Sequence, residues 1–244
     1  MNILVTAGNT LVPIDKVRVI TNIFTGRTGA NIALEAHARR HMVTLLTSHP
    51  EAVADLAGQA PRSERWSSVS YSTFDDLEHH LEGLVLNGGF DIVIHCAAVS
   101  DYRVAGVYAS DPATLFQEAE GVWTSHGYPP TLQDRSAGKI KSDAPELWLR
   151  LVRTPKLIDR IRSDWGFKGV LVKFKLEVGI ADRELLEIAE RSRLQSQADL
   201  MVANTLEGAD SWAYLGPIGG AYQRIARGDL PARLIDAVER LHKE

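Results

Sequence analysis

Residues that can do chemistry cluster at four places where strand-forming residues give way to polar ones. The first is Thr6, Ala7, Gly8, Asn9, Thr10, followed by a polar loop that ends in Asn22, Thr25, Gly26, Thr28 and Gly29 ahead of an amphipathic stretch. Glycines and hydroxyls before a helix offer backbone N–H groups at the positive end of the helix dipole, which suits a phosphate, although the same composition also serves a plain loop. The second is Ala97, Ala98, Val99, Ser100, Asp101, Tyr102, Arg103. Small residues there leave room for a flat ring, and a buried Asp101 with Arg103 two positions on is either part of that site or a structural ion pair. The third is Gly138, Lys139, Ile140, Lys141, two lysines that are either solvated or carried by a lid that closes over a polyphosphate. The fourth is Ala203, Asn204, Thr205, after the last core strand, an amide placed for a ligand or for loop backbone.

The elements that must position these residues alternate along the chain. Strands are expected at Ile3 to Thr6, Met42 to Thr47, Val69 to Phe74, Asp91 to Val99, Gly169 to Phe174 and Leu200 to Ala203. Helices are expected from about Gly29 to Arg40, after a cap at Asp75 or Asp76 with Gly88 and Gly89 as its stop, from Thr154 and Pro155, from Asp182 to Gln195, and from Leu230 to His242. Ile92, Val93 and Ile94 are apolar in succession, as in a parallel sheet covered on both faces. This alternation predicts an α/β fold, a doubly wound, mostly parallel Rossmann-like sheet whose ligands lie beyond the carboxyl ends of the strands. Periodicity fails from about Ala105 to Pro145, so a flap over about 104–145 is expected within a single domain of residues 1–244. Leu147, Leu149 and Leu151 then alternate as a half-buried strand, and Trp212 to Leu215 with Ala221 to Ile225 reads as a hairpin.

Composition narrows the function. With a net charge of −4 and eight scattered histidines there is no basic stripe for a nucleic-acid backbone. The single cysteine, Cys96, excludes a disulfide framework and a multi-cysteine zinc site, and its apolar surroundings predict a buried, inert thiol. Neither a signal peptide nor a membrane span is visible, so a cytoplasmic protein is expected. The glycine spacing is not GxGxxG, and Thr47, Ser48 and His49 stand where a ribose-binding carboxylate would follow the second strand, which disfavours ordinary NAD binding.

Taken in order, these strings resemble the phosphopantothenoylcysteine synthetase family from Met1 to about Gly208. The opening "ILVTAGNT…PIDKVRVITN…TGRTG", then "AAVSDYR" (97–103), "KIKS" (139–142), "RTPKL" (153–157), "FKLE" (174–177) and "ADLMVAN" (198–204) all have family counterparts in that order. The long insert before the lysines is most like the form without a fused flavin-dependent decarboxylase. The resemblance implies a ligase that joins 4′-phosphopantothenate to L-cysteine through an acyl-nucleotide, with CTP or ATP as co-substrate, Mg²⁺, no metal ligand assigned to the protein, and a homodimer. It implies that Lys139 supplies a catalytic cation and Asn22 holds the activated acyl group. Arg18, Thr25, Gly26 and Gly29, with Asp15 in support, bind the substrate phosphate or brace its loop. Gly8, Ala97, Asp101, Lys139, Lys141, Phe174 and Asn204 belong to the nucleotide. The chain departs from the family pattern at Phe24, where a hydroxyl is usual, at Ser142 and Thr205, and in the tail, where the family lysine is missing or replaced by Arg227. Those departures motivate an alternative, a non-catalytic nucleotide- or phosphate-binding protein on the same scaffold.

Overall fold

Strands that are apolar at every position must be covered on both faces, and this requirement organises most of the chain. In the computed structural model, which describes residues 1–243, the order is β1 (Asn2–Ala7), β2 (Leu11–Pro13), β3 (Val19–Thr21), α1 (Arg27–Ala38), β4 (Met42–Thr47), α2 (Glu51–Ala57) and β5 (Trp66–Ser70). Next come α3 (Phe74–Asn87), β6 (Ile92–His95), β7 (Tyr102–Ser110), β8 (Thr114–Gln117), β9 (Val122–Ser125), β10 (Leu132–Asp134) and β11 (Trp148–Arg153). The remainder is α4 (Leu157–Ser163), β12 (Val170–Glu177), α5 (Asp182–Gln195), β13 (Leu200–Thr205), β14 (Trp212–Ile218), β15 (Ala221–Ala226) and α6 (Leu230–Leu241). Contacts divide these into two compact units. The first comprises Met1–Thr10, Asn22–Val99 and the chain from Lys156 onward; the second comprises Leu11–Thr21 and Ser100–Pro155.

The first unit is an eight-stranded sheet in the order β15-β14-β13-β12-β6-β1-β4-β5. Its six strands from β13 to β5 are parallel, and β14 and β15 close one edge as an antiparallel hairpin. Alternation along the strands feeds two cores. Ile3, Val5, Ile92, Ile94 and Val172 pack with α1, α2 and α6, whereas Leu4, Val93 and Leu171 pack with Leu77 and Leu81 of α3 and Leu157 and Ile161 of α4. Helices on both faces make the sheet doubly wound. Each such Leu or Ile, once fully buried, contributes about 1.5–3 kcal/mol. None of the described helices is long and apolar enough to cross a membrane.

Several local expectations are revised. The strand expected at Val69 to Phe74 lies earlier, at Trp66–Ser70, and the cap of α3 is Thr73 rather than Asp75 or Asp76. The Asp76 N–H donates to the Thr73 hydroxyl at 3.2 Å and the Asp76 carboxylate accepts from the Thr73 N–H at 2.9 Å, a reciprocal capping box. The central strand is only Ile92–His95, because the residues after it turn toward the end of β1. Thr154 does not cap α4: Lys156 stands at the cap position, and the Thr154 hydroxyl donates to the Ser100 carbonyl at 2.6 Å.

The second unit holds the β2–β3 hairpin, a three-stranded antiparallel sheet in the order β10-β7-β11, and the β8–β9 ribbon. The stretch expected to lack regular structure thus contains the end of β7 and all of β8, β9 and β10, joined by loops. Its β8, β9 and β10 are three or four residues long, too short to display a period, and Phe116, Trp123 and Trp148 pack as an aromatic cluster with centroids 4.6–5.1 Å apart.

Candidate functional site

In the first unit the polar residues after β1, β4 and β6 converge at the carboxyl end of the sheet. The Ala98 N–H donates to the Gly8 carbonyl at 2.7 Å, and Asn9 bridges to Ala98, so the segments after β1 and β6 stay paired beyond the strands. The Asn22 amide donates to the Ala98 carbonyl at 3.0 Å, and the Asn9 amide donates to the Asn22 carbonyl at 2.6 Å. Asn22 is therefore held through both its side chain and its backbone. Asn9, to which the sequence assigns no role beyond its place in the loop, is the hub. Its carbonyl oxygen accepts from the Ser48 hydroxyl at 3.1 Å and lies 3.1 Å from Nε2 of His49, whose Nδ1 is 2.8 Å from Glu51. An asparagine directly after a glycine at a strand end is the signal that could have found it.

The glycines have a packing role here. Gly8 and Gly26 both adopt positive φ, +88° and +74°. A Cβ on Gly26 would lie 2.8 Å from the Gly8 nitrogen, and one on Gly29 would lie 2.6 Å from Cβ of Ala7. Together they let the start of α1 close down on the end of β1. Gly26 gives α1 no side-chain cap, and no acidic residue stands in its first turn. Arg27 is instead the first helical residue, and Arg227 donates to the Thr28 hydroxyl. Burial pulls the Arg227 guanidinium below its ordinary pKa, against opposing contributions from Cys96 and Asp210. Cations at the positive end of a helix are unfavourable alone and become favourable when an anion joins them. Thr25 is exposed just ahead of this turn.

Ala97, Phe174 and Asn204 do not share one face of the sheet. Ala97 packs with the α3–α4 core, and its N–H donates to the Thr6 hydroxyl at 3.1 Å. Phe174 packs against the α1–α6 core, in register with Val202. Asn204 lies within β13 rather than after it, buried and in register with Leu176. It is a strand residue because parallel pairing with β12 continues to Thr205.

Next to these residues lie groups whose charge the fold suppresses. His95 is 6% exposed, and burial, reinforced by the Lys173 ammonium, lowers its pKa to about 4. Its Nδ1 is 3.0 Å from the Thr6 hydroxyl. Because that hydroxyl accepts the Ala97 N–H, its own proton is available to Nδ1, which matches a neutral imidazole. Cys96 is half-buried rather than fully buried, yet desolvation pushes its thiol up to about 12, so the inert-thiol expectation stands on charge.

The second unit carries Arg18, Asp101, Lys139 and Lys141. Asp101 is exposed, not buried, and its carbonyl accepts the Thr154 N–H at 3.0 Å. Lys139 and Lys141 are exposed on either side of buried Ile140. Arg18 pairs with Asp15 at 2.6 Å and donates to the Ile140 carbonyl at 2.9 Å, so within this unit it is joined to the lysine segment. Among the described residues no group of three or more His, Cys, Asp or Glu could hold a metal ion.

Comparison with known proteins places this geometry. Residues 1–111 match the family described as DNA/pantothenate metabolism flavoprotein C-terminal domain. The coenzyme A biosynthesis bifunctional protein CoaBC of Thermococcus kodakarensis is 30% identical over 245 residues, covering 98% of this chain and 51% of the relative. The Escherichia coli K12 protein of the same name is 26% identical, covering 84% of this chain and 41% of its own length. The chain thus spans about half the length of the curated relatives it matches. Among solved structures, the DNA/pantothenate metabolism flavoprotein from Streptococcus pneumoniae superposes with a TM-score of 0.78 at 27% identity, covering 99% of this chain and all of the other. A Cab2 mutant in complex with phosphopantothenate-cysteine superposes with a TM-score of 0.69 at 21% identity, a likeness of fold.

Proposed function

From the premise that residues 1–111 carry a DNA/pantothenate metabolism flavoprotein C-terminal domain, we propose that the chain is a phosphopantothenate–cysteine ligase that uses CTP or ATP. The observation that carries this reading is the doubly held Asn22 beside the uncapped, cation-flanked start of α1. An amide anchored on both sides is a fixed, neutral donor and acceptor. It can bond an acyl oxygen without adding charge to a site that must accommodate phosphates. The relatives named for coenzyme A biosynthesis and the neighbour holding phosphopantothenate-cysteine support the choice of substrates.

In this reaction the 4′-phosphopantothenate carboxylate attacks the α-phosphorus of the nucleotide and pyrophosphate leaves. The cysteine amine then attacks the acyl carbon, loses a proton, and releases the nucleoside monophosphate. Negative charge builds on the triphosphate in the first step, so a cation is needed there more than a base. Lys139, exposed and without an ion pair among the described residues, supplies it, with Lys141 beside it. Gly26, Gly29 and Thr25 serve the substrate phosphate, with Arg18 as a brace, while Gly8, Ala97, Asp101, Phe174 and Asn204 serve the nucleotide. When bound, Mg²⁺ would neutralise negative charge on the nucleotide phosphates. The working form is a homodimer in the cytoplasm.

The test is pyrophosphate release from purified protein with Mg²⁺, 4′-phosphopantothenate and CTP or ATP, with and without cysteine. Release that depends on phosphopantothenate is the expected result and identifies the nucleotide. Binding of nucleotide with no release from either would overturn the ligase reading in favour of a phosphate-binding scaffold, with the 37% exposed Phe24 as the first residue to revert to a hydroxyl.

A further inference from the structure

We propose that Asp15 and Arg18 are positioning residues that clamp Ile140 and so fix the segment from which Lys139 and Lys141 project. Every contact in the argument lies within the second unit. The β2–β3 turn is closed by Asp15 Oδ1, which accepts the N–H groups of Val17 and Arg18, both at 2.8 Å. The Ile14 N–H, donating to the Arg18 carbonyl at 2.8 Å, closes the same turn. The other oxygen, Oδ2, turns outward to a segment far along the chain, accepting the Ile140 N–H at 3.0 Å and the Arg18 guanidinium at 2.6 and 3.2 Å. The same Arg18 nitrogen donates to the Ile140 carbonyl at 2.9 Å, and the Lys16 N–H donates to the Gly138 carbonyl at 3.0 Å.

Both peptide groups of Ile140 are thus held by one ion pair, with a third backbone bond two residues earlier. Ile140 is itself buried, at 4% exposure, and the Asp15 side chain is fully covered. A lysine on a free loop samples many positions, and electrostatic catalysis rewards a charge that is already in place. The clamp converts two solvated lysines into cations carried by an ordered backbone. Arg18 is well suited to this because its planar fork can grip a carboxylate and a carbonyl at once, which a lysine cannot. Arg18 and the neighbouring bonds hold the Asp15 carboxyl far below the usual carboxylate range, so the clamp stays charged at any working pH.

The kinetic part of this inference rests on the ligase reading; the structural part does not. The experiment compares Asp15→Asn, Arg18→Lys and the double variant with wild type by amide hydrogen exchange and by pyrophosphate release. The Ile140 N–H is expected to exchange about tenfold faster in each variant, the scale of one lost charge-assisted bond, while the β7–β11 ladder keeps its protection. With CTP or ATP, kcat is expected to fall about tenfold, KM for 4′-phosphopantothenate to change by less than about twofold, and the double variant to be no worse than either single one. Unchanged exchange at Ile140 overturns the clamp. A raised KM in Arg18→Lys with exchange and kcat unchanged also overturns it, by making Arg18 a direct phosphate ligand. If wild type releases no pyrophosphate, the ligase reading falls and the exchange arm alone decides the clamp.

Discussion

The first unit buries whole strands, from Ile3 to Ala7 and from Ile92 to His95, whereas the second buries few side chains, among them Val12, Val107, Ala109 and Ile140. One is held by apolar layers on two faces of a sheet; the other depends on side chains that bond backbone groups, as Asp15, Asp111, Asp134 and Thr154 do. Hydrophobic burial is non-directional and tolerates small shifts, while a hydrogen bond fixes one atom against another. The difference teaches where each kind of precision is placed: apolar layers set the sheet as a whole, and side-chain bonds set individual backbone groups, as the Asp15–Arg18 pair does at Ile140.

The sharpest way to break the comparison is to remove function without stability. Lys139→Ala should lower pyrophosphate release by roughly 10²–10⁴-fold, the scale of losing a group aimed at developing charge, and shift stability by no more than about 0.5 kcal/mol because the side chain is exposed. Steady-state kinetics beside urea unfolding would check both halves. The converse is Leu171→Ala in the α3–α4 core, expected to cost about 2–5 kcal/mol, against about 0.5 kcal/mol or less for Leu151→Ala on β11, which is 46% exposed. Equal losses at the two sites would end the distinction between the units.

A pH series sharpens it further. His95 has a folded pKa of about 4 against 6.5 in the unfolded chain, so between those values the unfolded state binds more protons. Stability is therefore full above about pH 6.5 and falls as pH drops toward 4, by up to about 3 kcal/mol. His95→Gln should remove that slope when unfolding free energies are measured across the same range. A loss smaller than those at Leu171 and His95 is expected for Thr73→Ala, about 1 kcal/mol for the lost capping box of α3, read by urea unfolding.

Legibility followed the same division. The parallel strands other than β5, with α5 and the β14–β15 hairpin, are readable because burial on one or both faces imposes a period on the residue types. Strands β8 to β10 are not, since short ribbons held by an aromatic cluster and by carboxylate-to-backbone bonds leave no period. At the candidate site, Asn9, Asn22, Gly26 and Gly29 are visible as types in polar loops, but the role of Asn9 lies in partners from two other loops, Asn22 and the adjacent Ser48 and His49, which no local pattern shows.

What the sequence determined by itself was the alternation of strands and helices and the set of polar residues at strand ends, because both follow from local residue type and spacing. Only the tertiary structure decided that Ala97 and Phe174 pack against different cores, that Arg227 reaches Thr28, and that one ion pair at the β2–β3 turn holds Ile140. Those are contacts between residues as many as 199 positions apart. Their geometry is set by how the sheet and loops pack, and no local pattern of residues encodes it.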